Sequence, residues 1–520
     1  MTLPDLFLAI MLVGLFAGIL SGIPAMLAIA GVPLAVAWIA SLFGAFDLAF
    51  LSFFPSRIWG VMTNTLLMAV PLFVLMGVIL ERSRLAERML AVLSDMLGAS
   101  ARGLALSVLL FSAMIAASTG IIGATVVMLG LVSLPAMLKA GISPRLSSGL
   151  ICASGTLGQI IPPSIVLVLL GDQIGNTYLE AQQKAGNFAP DPVSVGDLFA
   201  GALLPGFILV GLYGLYVLVR LRPGAAATPA PPEPAERRRV PAIEVLGTFL
   251  PPLLLILAVL GSILGGIATT TEAAGVGAVG ALLLAGYTAG HGGAAGRWLI
   301  AAAGLAALVL VVLRSLAVLP AASPAGPAGL LAAAAAVLVA AGTLVAALRF
   351  LRAGLLGGAL IETLRISGMV FGIVVAASML SLVFRGFGGE ELVAGVMEGV
   401  PGGQWGALVI VMVIIFLLGF ILEAVEIIYI VVPLLGPAVL ATDFSPVWFA
   451  VLIAMNLQTS FLTPPFGFAL FYFRSVAPRS ISTAEIYRAI IPFVVIQIAA
   501  IALLVAFPAV ATWLPALIFR

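Results

Sequence analysis

Apolar stretches of about 20 residues, separated by short clusters of charge, recur along this chain, and few folds accept that pattern. An α-helix rises ~1.5 Å per residue, so such a stretch covers the ~30 Å hydrocarbon core of a bilayer. The charges collect at Arg82, Arg84 and Arg88, at Lys139 and Arg145, and at Arg237, Arg238 and Arg239. Charged residues make up 8% of the chain and hydrophobic ones 63%. A soluble domain carries about 25% charge and could not keep its surface hydrated with so much less. The sequence therefore predicts an all-α, multi-pass integral membrane protein with about a dozen crossings.

Hydropathy places simple spans near 6–23, 25–45, 58–80, 197–220, 243–265, 271–290, 298–320, 327–348, 360–384 and 484–514. Four regions read differently. Segments 104–137 and 404–440 are apolar but hold small or acidic residues near their middles. Segments 145–175 and 446–475 are helical in pattern but interrupted by Pro162-Pro163 and Pro464-Pro465. A linker rich in proline and arginine, 222–241, divides the chain into a first unit, 1–221, and a second, 242–520. The N-terminus opens Met1-Thr2-Leu3-Pro4-Asp5 with no basic region, so its first apolar run reads as a retained span.

The two units resemble each other. Ser143-Pro144 precedes Pro162-Pro163 by the spacing at which Ser445-Pro446 precedes Pro464-Pro465, an offset of 302 throughout. Upstream, Leu134-Pro135 answers Val432-Pro433. The loop before the first broken helix holds Lys139 and Arg145, and the one after it holds Asp172, Glu180, Asp191 and Asp197 against Lys184. In the second unit the order reverses: Asp443 comes before, and Arg474, Arg479 and Arg488 against Glu485 come after. By the positive-inside rule the first broken helix runs inside to outside and the second outside to inside, which makes the repeat inverted. The same rule makes 104–137 a re-entrant hairpin from the cytoplasmic face and 404–440 one from the outside. Arg385 is discordant, at an end assigned outside.

Several functions are excluded. A net charge of +2, with no basic stripe carrying aromatics, gives no nucleic-acid partner. There is no phosphate-cradling G-x-x-x-x-G-K-[ST] loop, no Ser-His-Asp set and no metal cluster, so the chain reads as a non-enzyme without a cofactor. Cys152 reads as a small buried hydrophobe and His291, between glycines, as a loop residue. Thr269 with Glu272 three residues on reads as a capping box.

The broken helices carry the chemistry. Each proline removes an N–H and frees carbonyls of the preceding turn, which hydrocarbon tolerates only where protein or a hydrated site covers them. Freed carbonyls suit a cation, and the N–H groups opening the second half-helix, after Pro162-Pro163-Ser164 and after Pro464-Pro465, suit a substrate carboxylate. Ser154 and Thr156 precede the first break; Asn456, Gln458, Thr459, Ser460 and Thr463 precede the second. The first hairpin's middle reads Ser118-Thr119-Gly120-Ile121-Ile122-Gly123, and the second reads Glu423-Ala424-Val425-Glu426. Neutral oxygens with an occasional carboxylate suit a hard monovalent cation. A single Ser or Thr in such a helix ordinarily just bonds its own i−4 carbonyl.

At these residues the sequence resembles the large membrane subunit of tripartite ATP-independent periplasmic (TRAP) transporters. The stretches that carry the resemblance are SLPAMLKAGISP, ASGTLGQIIPPSIVLVLLG, TTTEAAGVGAVGALLL and NLQTSFLTPPFGFALF. It covers most of the chain outside 222–241 and 291–352. The resemblance implies an elevator: a scaffold domain and a transport domain built from the two hairpins and the two broken helices. It also implies sodium coupling, a smaller membrane subunit, a periplasmic solute-binding protein and a bacterial inner-membrane location. Carried over by position, one sodium site would draw on Ser118, Thr119, Gly120, Gly123, Ser154, Gly155 and Thr156. A second would draw on Glu423, Asn456 and Thr459, although Glu423-Ala424-Val425-Glu426 departs from the Asp-Gly-Thr-like pattern of many members. The segment 291–352 reads as an insertion of two helices. The long acidic loop 171–197 resembles the branch of the family associated with keto acids, lactate and related organic acids. The expected function is sodium-coupled import of an organic anion. A stand-alone sodium/anion symporter of related fold remains the alternative, with a channel or pump component as a separate class.

Overall fold

The computed structural model describes residues 2–83, 85–97, 100–120, 122–222, 240–289, 293–315 and 326–519. These are helical, with no strand among the described residues. Nine helices among them are long and apolar enough to cross a membrane, and five shorter apolar helices accompany them. The linker 223–239 and His291 lie outside the described residues.

Several spans differ from the hydropathy reading. The span expected at 58–80 is two helices, Phe54–Thr63 and Ala69–Arg82, because Asn64 turns the chain. Its side-chain oxygen accepts from the Leu66 N–H at 2.9 Å, a local bond that competes with the helix. The span at 484–514 is likewise two helices, Thr483–Ala506 and Ala509–Phe519, separated at Phe507 and Pro508. Proline cannot supply the N–H that would carry the first helix onward. The acidic loop 171–197 is much shorter than expected: the helix after the first break runs Ile165–Lys184, and the next helix starts at Val195. Glu180 and Lys184 thus form an i,i+4 pair at 3.2 Å on a helix.

Segment 104–137 is a pair of helices, Ala101–Thr119 and Ile122–Lys139, joined at Gly120. Segment 404–440 begins with helix Gly403–Leu418 and resumes at Ala424. Residues Ile427–Val431 widen into a π-helix before the turn Val432–Leu435. Pro433 explains the widening: with no N–H it cannot close the ordinary bond to the carbonyl four residues earlier. Two helices lie in the segment read as an insertion, Ala294–Ser315 and Pro327–Arg352.

The core is built around helix Pro446–Leu462, all of whose residues from Val447 to Leu462 are buried. Beside it lie the 3-10 turn Thr156–Gln159 and the first turns of Ile165–Lys184, equally buried. The hydrophobic length of these segments therefore faces protein on all sides. Thr269 caps helix Thr270–Thr288 through the expected box with Glu272, and Cys152 is buried. Arg385 is matched by carboxylates: Glu180 accepts from it at 2.7 and 2.8 Å, and Glu390 pairs with both Arg385 and Lys184.

Candidate functional site

The two prolyl pairs interrupt their helices in the same manner. After Gly155 the first helix tightens into a 3-10 turn, Thr156–Gln159, and regular helix returns at Ile165. The second helix stops at Leu462 and resumes at Phe468. Both Pro162-Pro163 and Pro464-Pro465 are cis. Pro162, Pro163 and Ser164 are buried, whereas Pro465 and Phe466 are exposed.

Some of the freed carbonyls are already used. Ser164 donates its hydroxyl to the Gln159 carbonyl at 3.0 Å, Thr463 to that of Thr459 at 2.7 Å, and Tyr487 to that of Pro465 at 3.0 Å. Because Ser164 turns its hydroxyl toward Gln159, it makes no cap to the helix it precedes. Gly467 has no side chain to cap the other. The first-turn N–H groups of both second half-helices consequently lack a side-chain acceptor, and their partial positive charge is available to an anion.

The breaks touch each other. Gln458 donates its amide N–H to the Thr156 hydroxyl oxygen at 3.2 Å, across 302 residues. Gln458 and Thr156 are both fully buried, and Gln159 is nearly so. The side-chain oxygens of Gln159 and Gln458 have no hydrogen-bond partner. A buried amide oxygen left unpaired costs about 1–3 kcal/mol, so two of them near one break mark a place built to receive something. Thr156→Val should leave the Gln458 amide without its acceptor. The variant is expected to lose about 1–3 kcal/mol of stability, read as a lowered denaturation midpoint in detergent; an unchanged midpoint would mean that the contact contributes nothing.

The hydroxyls that sequence reasoning singled out donate along their own helices: Ser154 to Ile151, Thr156 to Ala153 and Thr459 to Met455. Donation uses the hydrogen and leaves the Ser154 and Thr459 oxygens their lone pairs, while Thr156, which also accepts from Gln458, keeps one. A cation and these bonds are compatible. Asn456 donates to the Met412 carbonyl at 2.7 Å, tying the second broken helix to helix Gly403–Leu418, and its own side-chain oxygen remains an acceptor.

Both helix-pair tips reach the breaks. Gly120 has φ +61° and lies over the start of Ile165–Lys184: a Cβ there would stand 3.2 Å from the Ile165 nitrogen. In the other half Gly419 abuts the Ser460 side chain, one turn before the second break. Gly123 lies under the Tyr472 ring. The side chains of Ser118 and Thr119 lie outside those described. Glu426 is buried rather than solvated, and its carboxylate accepts from the Glu423 N–H at 3.1 Å. The two form a reciprocal capping box at the start of Ala424–Glu426, each side chain facing the other's backbone N–H.

Sequence reasoning missed a third polar group. Asp172 accepts from Asn64 at 2.9 Å and from the Tyr429 hydroxyl at 3.1 Å. It joins the turn after Phe54–Thr63 to the π-helix and to the half-helix beyond the first break. Asn64 beside a helix end was the available signal, but the hydropathy of 58–80 hid it.

The chain has clear relatives. The family described as "Tripartite ATP-independent periplasmic transporter, DctM component" matches residues 12–319 and 294–510. The C4-dicarboxylate TRAP transporter large permease protein DctM of Rhodobacter capsulatus is 27% identical, over 87% of this chain and 87% of its own length. Its namesake from Vibrio cholerae is 27% identical over 87% and 86%. The ectoine TRAP transporter large permease protein TeaC of Halomonas elongata is 26% identical over 87% of both. Among solved structures, the YdaH transporter of Alcanivorax borkumensis has a similar fold, with TM-score 0.52 and 15% identity over 89% of this chain and 87% of that one. This all-helical, multi-pass membrane protein belongs to the family of DctM components, the large permeases of tripartite ATP-independent periplasmic transporters.

Proposed function

We propose that this chain is the substrate-translocating subunit of a tripartite importer in the bacterial inner membrane, coupling sodium entry to uptake of an organic anion. The observation that carries the reading is the Gln458–Thr156 contact. Its two residues are separated by 302 positions, the offset that relates the two prolyl pairs. A residue and its repeat equivalent can meet only near the axis that exchanges the repeats. The contact thus supports two opposed halves whose breaks form one central site.

In this reading the helix pairs are re-entrant hairpins, one from each face, with tips at Gly120 and Gly419. Substrate sits between the tips and the uncapped half-helix starts after Ser164 and after Pro465. Sodium is held by neutral oxygens of Ser154, Thr156, Asn456 and Thr459, with Glu423 at the second tip. The hairpins and broken helices move as one body against the remaining spans, in an elevator motion. Relatives named for C4-dicarboxylates, ectoine, isethionate and sialic acid support a substrate with an acidic group, since each such molecule carries a carboxylate or sulfonate. The working partners are a small membrane subunit and a periplasmic solute-binding protein. Arg385 then lies outside without breaking the charge rule, because Glu180 and Glu390 neutralise it.

Opposed halves make a direct prediction. Gln183 and Ser480 are both exposed, the first in the last turn of Ile165–Lys184 and the second beyond the end of Phe468–Val476. Cysteines placed there in a Cys152→Ser background should react with an impermeant maleimide from the outside and from the inside, respectively. Labelling of both from one face would overturn the inverted arrangement.

A further inference from the structure

We propose that the cavity between the helices of segment 291–352 and the body of the protein holds an acyl chain of an anionic phospholipid, whose phosphate is bound by Arg349. The cavity measures about 660 Å³. Its wall includes Leu255, Gly275, Leu284, Tyr287, Ile300 and Leu308, apolar except for one phenol. A packed protein interior leaves no void of that size, and in a bilayer an apolar volume fills with hydrocarbon.

The shape fits a chain in one leaflet. The wall runs from Gly275 to Tyr287 on one helix and from Ile300 to Val311 on another. At ~1.5 Å per residue these are lengths of about 18 and 16 Å, close to half of a ~30 Å hydrocarbon core. Leu305, on the wall, is 64% exposed, so the cavity opens sideways rather than into the protein. The helices around it are fixed. Gly286 meets the backbone of Ala346, and Gly342 meets Ala303, small-residue contacts that bring membrane helices together.

Charge lies just beyond one end of the cavity. The Arg349 side chain is buried, with 4% of the residue exposed, yet none of its three guanidinium nitrogens has a hydrogen-bond partner. It lies against Gly296, where a Cβ would stand 3.7 Å from Nη1, one helical turn before Ile300 of the cavity wall. Trp298, 76% exposed, and Tyr287, 49% exposed, flank the same end. Such aromatic residues sit at headgroup level in membranes. Arg297 and Arg352, both exposed, add positive charge there. A buried guanidinium with no acceptor is costly, and a phosphate presents oxygens in the geometry its fork matches. An apolar slot one leaflet deep, with that guanidinium one helical turn beyond its wall, is complementary to a phospholipid bearing net negative charge.

The full chain, reconstituted in nanodiscs of phosphatidylcholine with a minority of phosphatidylglycerol, is then released and examined by native mass spectrometry. Phosphatidylglycerol should be retained in preference to phosphatidylcholine. Arg349→Gln should reduce that retention about tenfold, the worth of one charge-assisted contact, while Arg349→Lys keeps most of it. Gly304→Leu projects into open space, fills the slot, and should remove lipid whatever its headgroup. Gly275→Leu, also entering open space, repeats the test if the first variant does not fold. Equal retention of both lipids by the native chain, or unchanged retention in Arg349→Gln and Gly304→Leu, would overturn the proposal. So would loss of a co-purifying membrane subunit on filling the slot with lipid retention intact, since the groove would then be a protein interface.

Discussion

Reconstituted alone in liposomes, with a sodium gradient and an organic-anion substrate, this chain is expected to show no uptake above empty vesicles. Adding the small membrane subunit and a substrate-loaded binding protein should restore uptake. Among the described residues, no segment between helices is long enough to form a separate solute-binding domain. The loop expected at 171–197 shrinks to the stretch between Lys184 and Val195. The uncapped half-helix starts offer an anion only a few N–H groups, and a carboxylate held by so little binds weakly from dilute solution. A partner that captures substrate first removes this difficulty. An elevator also needs a scaffold that stays still while a buried body moves. In the apolar windows of helices Ala294–Arg314 and Gly329–Arg352 only 11% of residues are buried, leaving much of their surface for lipid or for another subunit. Robust uptake by the chain alone would sink the tripartite reading and put a stand-alone symporter in its place.

What was legible in the sequence was whatever hydrophobicity and proline dictate locally. Apolar length located most spans to within a few residues, and Pro162-Pro163 and Pro464-Pro465 marked both breaks, because a missing N–H acts wherever it falls. The capping box at Thr269 was legible for the same reason. Hydropathy failed where one residue turns an apolar run, Asn64 by a side-chain bond and Pro508 by its missing N–H, each dividing a stretch that scores as one span. It also failed where a helix outlasts its apolar part, as Ile165–Lys184 does by carrying Asp172, Glu180 and Lys184 on helical turns. Contacts across the chain were out of reach. Nothing local in Gln458 reports that Thr156 accepts from it, or that Asp172 gathers Asn64 and Tyr429. Nor does anything local report that Glu423 and Glu426 face each other's backbone in one capping box.

Replacing external sodium with choline is expected to reduce uptake by the assembled transporter to background, even with a proton gradient imposed. The donors at the breaks are neutral oxygens. The Thr459 hydroxyl keeps both lone pairs, the Thr156 hydroxyl keeps one beside the Gln458 amide, and the amide oxygens of Gln159 and Gln458 are buried without partners. Such a set suits a hard cation and has nothing to hold and release a proton near neutral pH. The single His291 lies in a stretch far in sequence from both breaks. A carboxylate could serve a proton-driven cycle instead, and Glu423 is the group to test. If it ligands sodium, Glu423→Gln should raise the sodium concentration for half-maximal uptake by about tenfold or more, the worth of a charged oxygen ligand exchanged for a neutral one. Glu426→Gln, which keeps an oxygen to accept from the Glu423 N–H, should shift it little. Equal shifts in the two variants would mean that the tip glutamates act only through folding of the hairpin. Uptake that persists in choline under a proton gradient would remove sodium from the mechanism and give Glu423 the role of proton carrier.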